Sequence, residues 1–436
     1  MAYKSVPTPN AKTSLRALSA MLGEKHPLAA LQVFHAELGD VFRVNLLGFS
    51  PIFLVGPQAA RFVLAQKRGE FLWRNENDPV SRLLQHGVLV EDGQSHDDLR
   101  HILSPALHRR MLSAYISDMW KSIEQVAAGW QEGQVVDMLV EMRKIALLSL
   151  MRTLYRIDFT PVMKQLWDSI LGCIGYISPG LWMFWPGIPR PQYLRSIHRI
   201  NQYLYQVIIE RRKAMSKCTS LPEDLLGVLI YQGLEDDLIR DQLLTMLIAG
   251  HDTVTALLAW TLYLLAEYPE SRRKAQAEVD MFLPSSVPPQ IEHLNNLEYL
   301  GWVIKESLRL YPPIHLGNRL AAEDLEYEGF LIPRGSRVIY SIYLTQRHPA
   351  YWDKPNNFQP ERYASDAQPP PYTWLAFGGG PRNCIGVAYG QMEAKITLAY
   401  ILRRYEFDGV LQPVSPRMGA TLEPRPGVKV RVRLRK

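Results

Sequence analysis

Apolar and polar positions follow a helical period over most of the chain and a strand period in only a few short stretches. The longest helical pattern runs from Glu235 to Glu267 and stops before Pro269. At ~1.5 Å per residue it predicts a rod of roughly 50 Å, and an apolar middle on most sides predicts a buried central helix. Helical spacing also covers Pro27 to Leu38, Gln58 to Gln66, Leu297 to Leu310 and Val387 to Tyr405; from Asp97 to Ser216 it continues with breaks. Val41 to Gly48 and Pro51 to Val55 read as a hairpin turning at Gly48 to Ser50. Leu325 to Leu331 and Arg337 to Tyr343 read as strand pieces around the turn Pro333-Arg334-Gly335. Phe71 to Gly93 shows no period and is predicted to be a long loop; Pro349 to Tyr372 is proline-rich and irregular. With no repeat and no low-complexity linker, residues 1–436 are expected to form a single, mainly α domain. Its small β-sheets are expected around residues 41–56 and 325–343.

Composition narrows the class. Apolar residues are 47% and charged ones 21%, enough for a large core. Lys and Arg number 49 against 43 Asp and Glu, a net +6, and the basic residues are scattered, so no nucleic-acid footprint is indicated. The exception is the tail Arg431 to Lys436, which reads as a solvated final strand. The N-terminus is polar and no run of about 18 apolar residues follows it, so no transmembrane anchor or signal peptide is expected. Three cysteines, Cys173, Cys218 and Cys384, are too few and too scattered for a disulfide framework or a CxxC zinc site. A soluble, cytoplasmic monomer is expected. Ser178 to Pro189 is crowded with large apolar side chains, which suits a loop capped on the core, a lid over an apolar cavity, or a membrane-touching patch; core or lid is favoured.

One loop stands out: Phe377-Gly378-Gly379-Gly380-Pro381-Arg382-Asn383-Cys384-Ile385-Gly386. Its glycines permit positive φ and a close approach to a flat ligand. Cys384 falls just before a helix N-terminus, where the dipole favours a thiolate. An inert cysteine in a glycine-rich loop is the bland alternative. In the long helix, Ala249-Gly250-His251-Asp252-Thr253 breaks the apolar run. Gly250 would let a bulky group lie against the helix, and Thr253 could bond back to the Ala249 carbonyl and open the ladder. The same residues would also serve as a polar patch facing a partner helix. Glu306 and Arg309 stand one turn apart, with Arg362 available to join them; His96 and Arg100, and separately Arg319, are candidate anion clamps.

In this order, these residues resemble the cytochrome P-450 family of haem-thiolate monooxygenases, over nearly the whole chain. Phe377, Gly380, Cys384 and Gly386 match the family's cysteine signature, with Arg382 at its usual basic position. Ala249, Gly250, Asp252 and Thr253 match the oxygen-activating motif; Glu306 and Arg309, with Arg362, match the Glu-x-x-Arg triad. The resemblance implies haem b (iron protoporphyrin IX), with Cys384 as the iron ligand and Phe377 and Gly378 packed on the cysteine side. It implies that Arg382, Arg319, His96 and Arg100 pair with the propionates. Thr253 and Asp252 would pass protons to the oxygen being reduced, and the triad would be structural. Two departures are visible: His96 stands where the family often has Trp, and Val254 where Thr or Ser commonly follows Thr253.

The resemblance further implies insertion of one atom of O₂ into a hydrophobic molecule. The chain carries no dinucleotide fingerprint, flavin domain or iron–sulfur cysteine set, so a separate ferredoxin, flavodoxin or reductase must supply electrons. A peroxide-using haem-thiolate enzyme and a non-catalytic haem sensor or carrier are the alternatives; a proton relay at Asp252 and Thr253 weighs against both. The expected pocket walls (Phe71 to Gly93, Leu166 to Ile188, Met246 to Val254, Ile314 to Gly317, Met418 to Leu422) are apolar, with few charges to hold an anionic head. A terpenoid, a steroid-like molecule or a fatty acid is expected.

Overall fold

A computed structural model describes residues 3–435 apart from 47, 74, 184, 186–187, 217–221, 285–286 and 365–368. The expected central helix is present as Asp236–Glu267, starting on two acidic residues, Asp236 and Asp237, that complement its dipole. It ends at Tyr268, because Pro269 disfavours helical backbone at the residue before it. Length and composition alone would let it cross a membrane, yet 83% of its apolar window is buried inside the protein. The apolar helix Met138–Leu154 packs along it, and Glu298–Leu310 and Val387–Arg404 complete the surrounding layer. One large core cluster runs through all four.

Among the described residues the largest of four β-sheets has five strands. Its strands lie in the order Val41–Arg43, Ile52–Leu54, Arg337–Ser341, Leu316–Ala321, Phe71–Leu72. Only the Ile52–Leu54/Arg337–Ser341 pair is parallel. Ile52, Phe53 and Leu54 are all buried, as a strand covered on both faces requires.

Several expectations are corrected here. Phe71 to Gly93 is not one long loop: Phe71–Leu72 joins the sheet edge and Pro79–Leu84 is helical, capped by the Asp78 side chain. A helix this short shows no period. Leu325 to Leu331 is not one strand but most of a hairpin, Leu325–Tyr327 with Phe330–Ile332, turning at Glu328 and Gly329 with φ of 52° and 83°. Arg337 to Tyr343 is strand only to Ser341, whose side chain then caps a single helical turn. The strand Leu316–Ala321 and the helix Ala11–Glu24 were not among the expected elements; the helix carries Leu15, Leu18 and Leu22 at helical spacing, but these are exposed and it buries only Thr13 and Ala17. The C-terminal strand Lys429–Leu434 is central in a three-stranded sheet, burying Val430 and Val432 while Arg431 and Arg433, which alternate with them, face outward. In the aromatic loop Trp182 is buried, whereas Leu181 and Trp185 are 62% and 58% exposed; Phe184, Pro186 and Gly187 lie outside the described residues.

Candidate active site

The segment Phe377–Gly386 closes on itself: the Cys384 N–H donates to the Phe377 carbonyl at 2.8 Å and the Asn383 N–H to that of Gly380 at 3.1 Å. Gly378 and Gly380 sit at φ of 73° and 64°, the left-handed region. A Cβ on Gly380 would lie 2.3 Å from the Leu64 carbonyl oxygen, and one on Gly379 would lie 2.7 Å from the Tyr372 ring. Clearance for a flat ligand is therefore not what those two glycines provide; they admit Leu64 and Tyr372. Gly378 has no such neighbour, its nearest atom being Asn383 Cα at 3.8 Å.

Cys384 is exposed, yet the surrounding protein is the largest influence on its thiol and raises its pKa. Both hold where the residue surface is open but protein crowds around the sulfur. Against that rise, the Gly386 N–H and the Arg100 charge favour the thiolate. Gly386 is also the N-cap of Val387–Arg404, as the motif requires. Phe377 packs against Trp374 with the rings tilted by 53° and their centroids 5.8 Å apart.

The central helix supplies the other wall. Between Ile239 and Leu262 every residue is buried except Ala249, Gly250 and Thr253, which share one helix face. Next to Thr253, Val254 reaches within 3.7 Å of where a Gly390 Cβ would stand, so this turn crosses the start of the cysteine helix. The Thr253 hydroxyl donates to the Ala249 carbonyl at 2.6 Å, as expected, but the helix continues unbroken. Gly250 is corrected in part: its missing Cβ admits Leu150, whose Cδ1 would be 2.8 Å away. His251, between the two, is fully buried, and burial with the nearby Arg143 charge holds its pKa down to about 3.

Asp252 turns away from this face. Its Oδ1 takes a bond from Arg143 at 3.2 Å and its Oδ2 one from the Thr421 hydroxyl at 2.8 Å; Arg143 is shared with Glu423. Burial raises its pKa against the opposing pull of Arg143. Arg143, Thr421 and Glu423 were not among the expected site residues. The one hint was an arginine inside the apolar run of Met138–Leu154.

The expected basic residues do gather. Arg100 donates to Asn383 through its carbonyl at 2.8 Å and its side chain at 2.7 Å. Arg382 bonds Asp92 at 2.6 Å and the Glu91 carbonyl. His96 is buried with Nδ1 2.7 Å from Asp97, and burial lowers its pKa. Arg319, also buried, bonds the Asn318 carbonyl at 2.7 Å. Burial first, then the charges of Arg319 and Arg68, bring Arg382 down to about 10, and His96 feels both Arg382 and Arg100. A cluster of cations that depress one another suits a ligand edge with negative charge. Together with a soft thiolate donor and an open helix face, this set fits haem. The triad forms as expected: Arg309 holds both Glu306 oxygens at 2.8 Å, and Arg362 reaches Oε1 at 2.9 Å.

Beyond Asp252 lies a cavity of about 470 Å³ between the end of the helix Thr160–Ile177, the aromatic loop and the hairpin Ser415–Met418/Leu422–Arg425. It joins three of the expected pocket walls. The expectation of few charges is corrected: Arg143, Arg190, Arg417 and Arg425 border it with Asp252 and Glu423.

Comparison with known proteins agrees with this arrangement. The family model described as Cytochrome P450 matches residues 9–430. The pentalenene oxygenase of Streptomyces avermitilis is 29% identical over 94% of this chain and 93% of its own. The cyclooctat-9-en-7-ol 5-monooxygenase of Streptomyces melanosporofaciens is 29% identical over 91% and 87%. Among solved structures, retinoic-acid-bound cyanobacterial CYP120A1 superposes with a TM-score of 0.84 at 23% identity, covering 100% of both chains. The haem domain of a cytochrome P450DA mutant gives 0.84 at 25% identity over 99% and 98%. A match across almost every residue, on a fold that packs the helix following the cysteine loop against the central helix, places this chain in the cytochrome P450 family, as a haem-dependent monooxygenase.

Proposed function

We propose that the chain, acting as one domain, oxidises a hydrophobic substrate (a terpenoid, steroid-like or fatty-acid molecule), with Cys384 ligating haem b. Haem held there supplies oxygen activation and insertion of one oxygen atom, with two electrons drawn from a separate ferredoxin, flavodoxin or reductase. The observation that carries the reading is the exposed thiol of Cys384 at the start of a helix, Val387–Arg404, that meets the central helix at Val254, beside Thr253. The proposed haem slot lies between that thiol and Ala249, Gly250 and Thr253, where the central helix is otherwise buried. Arg100, Arg319, Arg382 and His96 bind the anionic edge. Gly386 and Arg100 favour the ionised sulfur against the effect of burial. Phe377 and Gly378 shape the cysteine side, and Ala249 and Gly250 keep the facing wall low. The Thr253 hydroxyl, its proton directed to the Ala249 carbonyl, presents its lone pairs to the slot and accepts a proton donor there. Asp252 brings protons inward from the cavity. The relatives named for pentalenene and cyclooctat-9-en-7-ol support a largely hydrocarbon substrate.

The test is a Cys384→Ser variant beside the parent protein. The parent should give the thiolate-type CO-difference spectrum and, with an electron donor, convert O₂ and an apolar compound to a hydroxylated product. The variant should lose that spectrum even where haem is retained. Cys173 is buried and its thiol pushed up to about 12 by burial, so Cys173→Ala should leave the spectrum unchanged. Cys218, for which the same is expected, lies outside the described residues. A Cys384→Ser protein with an intact thiolate spectrum refutes the assignment.

A further inference from the structure

The cavity above Asp252 has unbalanced charge. Arg143 is neutralised by Asp252 and Glu423, and Arg425 holds Glu423 at 2.7 Å. Arg417 stands opposite Glu423 across the hairpin, but makes no ion pair among the described residues. Arg190 meets no carboxylate either: it bonds the Tyr176 carbonyl and lies 4.0 Å from that ring's centroid. Such stacking fixes a guanidinium while leaving donors free. Four arginines against two carboxylates leave two positive charges without a counter-charge.

Their placement is directional. Arg417 is exposed and Arg190 half-buried, at the mouth, whereas Asp252 is buried, at the floor, beside Thr253. The walls between are apolar or aromatic: Leu171, Ile174, Trp182 and Met418. The ion-paired floor is balanced and attracts no further anion. About 470 Å³ suits one medium-sized ligand.

From this we infer that the substrate carries a carboxylate, which Arg190 and Arg417 hold at the cavity mouth while its apolar body lies along the wall of Leu171, Ile174, Trp182 and Met418. The inference rests on the proposed monooxygenase reading and names its substrate class.

The experiment uses the haem-loaded enzyme and matched probes: palmitic acid, a diterpenoid acid and a bile acid, each with its methyl ester. Dissociation constants are measured by calorimetry and, separately, by the substrate-induced spin-state shift. At least one acid should bind about tenfold or more tighter than its ester, the weight of one charge-assisted hydrogen bond. Arg190→Gln/Arg417→Gln should abolish that preference while ester binding holds within about threefold. Should Arg190→Gln disturb its loop, Arg417→Gln alone must reduce the preference, since its side chain is exposed. Acids and esters of equal affinity, no acid binding at all, or a preference that survives the double substitution each overturn the inference. The CO-difference spectrum, recorded on the same sample, reports on the underlying reading independently. Calorimetric binding needs no turnover, so the two can fail separately.

Discussion

Asp252 and Thr253 are adjacent in the chain and face different surroundings, which divides the work between them. Thr253 stands on the open helix face with Ala249 and Gly250, at the proposed slot; Asp252 lies in the ion cluster at the cavity floor. Burial raises the Asp252 pKa, so its protonated form persists above the ordinary carboxylate range and the group can give up a proton nearer neutrality. As pH rises through that raised value the acid form is lost, and product formation should fall. Asp252→Asn should remove this limb of the pH–rate profile and slow product formation by about 10²-fold, the lower range for a lost proton donor. Thr253→Ala should act differently: O₂ consumption continues while the fraction recovered in product falls severalfold and hydrogen peroxide rises. An unchanged product-to-O₂ ratio in Thr253→Ala would refute its role. The adjacency of an acid and a hydroxyl was legible in the sequence. Their divergence was not, since the partners of Asp252 come from positions 143, 421 and 423.

At the scale of elements, the cysteine loop is held in shape by packing as much as by backbone freedom. Gly378 and Gly380 both adopt positive φ, which costs about 1–2 kcal/mol for any other residue. Only Gly380 also presses on a neighbour, the Leu64 carbonyl in the π-helical turn Phe62–Gln66. Gly378→Ala should therefore lower stability by about that strain and retain a normal CO-difference spectrum. Gly380→Ala should lose clearly more and disturb the spectrum, because the loop and the Phe62–Gln66 turn must separate. Denaturant unfolding and the spectrum of both variants test this; equal effects would show that the Leu64 contact is unimportant. Three glycines in a row announced a constrained loop. Of the two residues that crowd it, Tyr372 is a near neighbour in the chain, whereas Leu64 comes from a distant segment beyond any local pattern.

Across the whole molecule, the Glu306 triad fastens the helix Glu298–Leu310 to the irregular stretch leading to the cysteine loop. Arg309 is fully buried and also bonds the carbonyls of Gln346, Pro355 and Asn357. Glu306→Gln removes the charge facing two arginines and should destabilise the fold by about 3–5 kcal/mol, the range for a broken buried pair. A denaturation midpoint equal to the parent's would refute that. The central helix, the cysteine loop and the charged motifs could all be found from the chain alone. Periodicity over 32 residues is a strong signal, and glycine, proline and cysteine at fixed spacing carry local chemistry. The strand at Leu316–Ala321, the turn away of Asp252 and the arginines at the cavity mouth were decided only by tertiary structure. A short strand shows no period of its own, and a charge acquires a role only from what distant segments set against it.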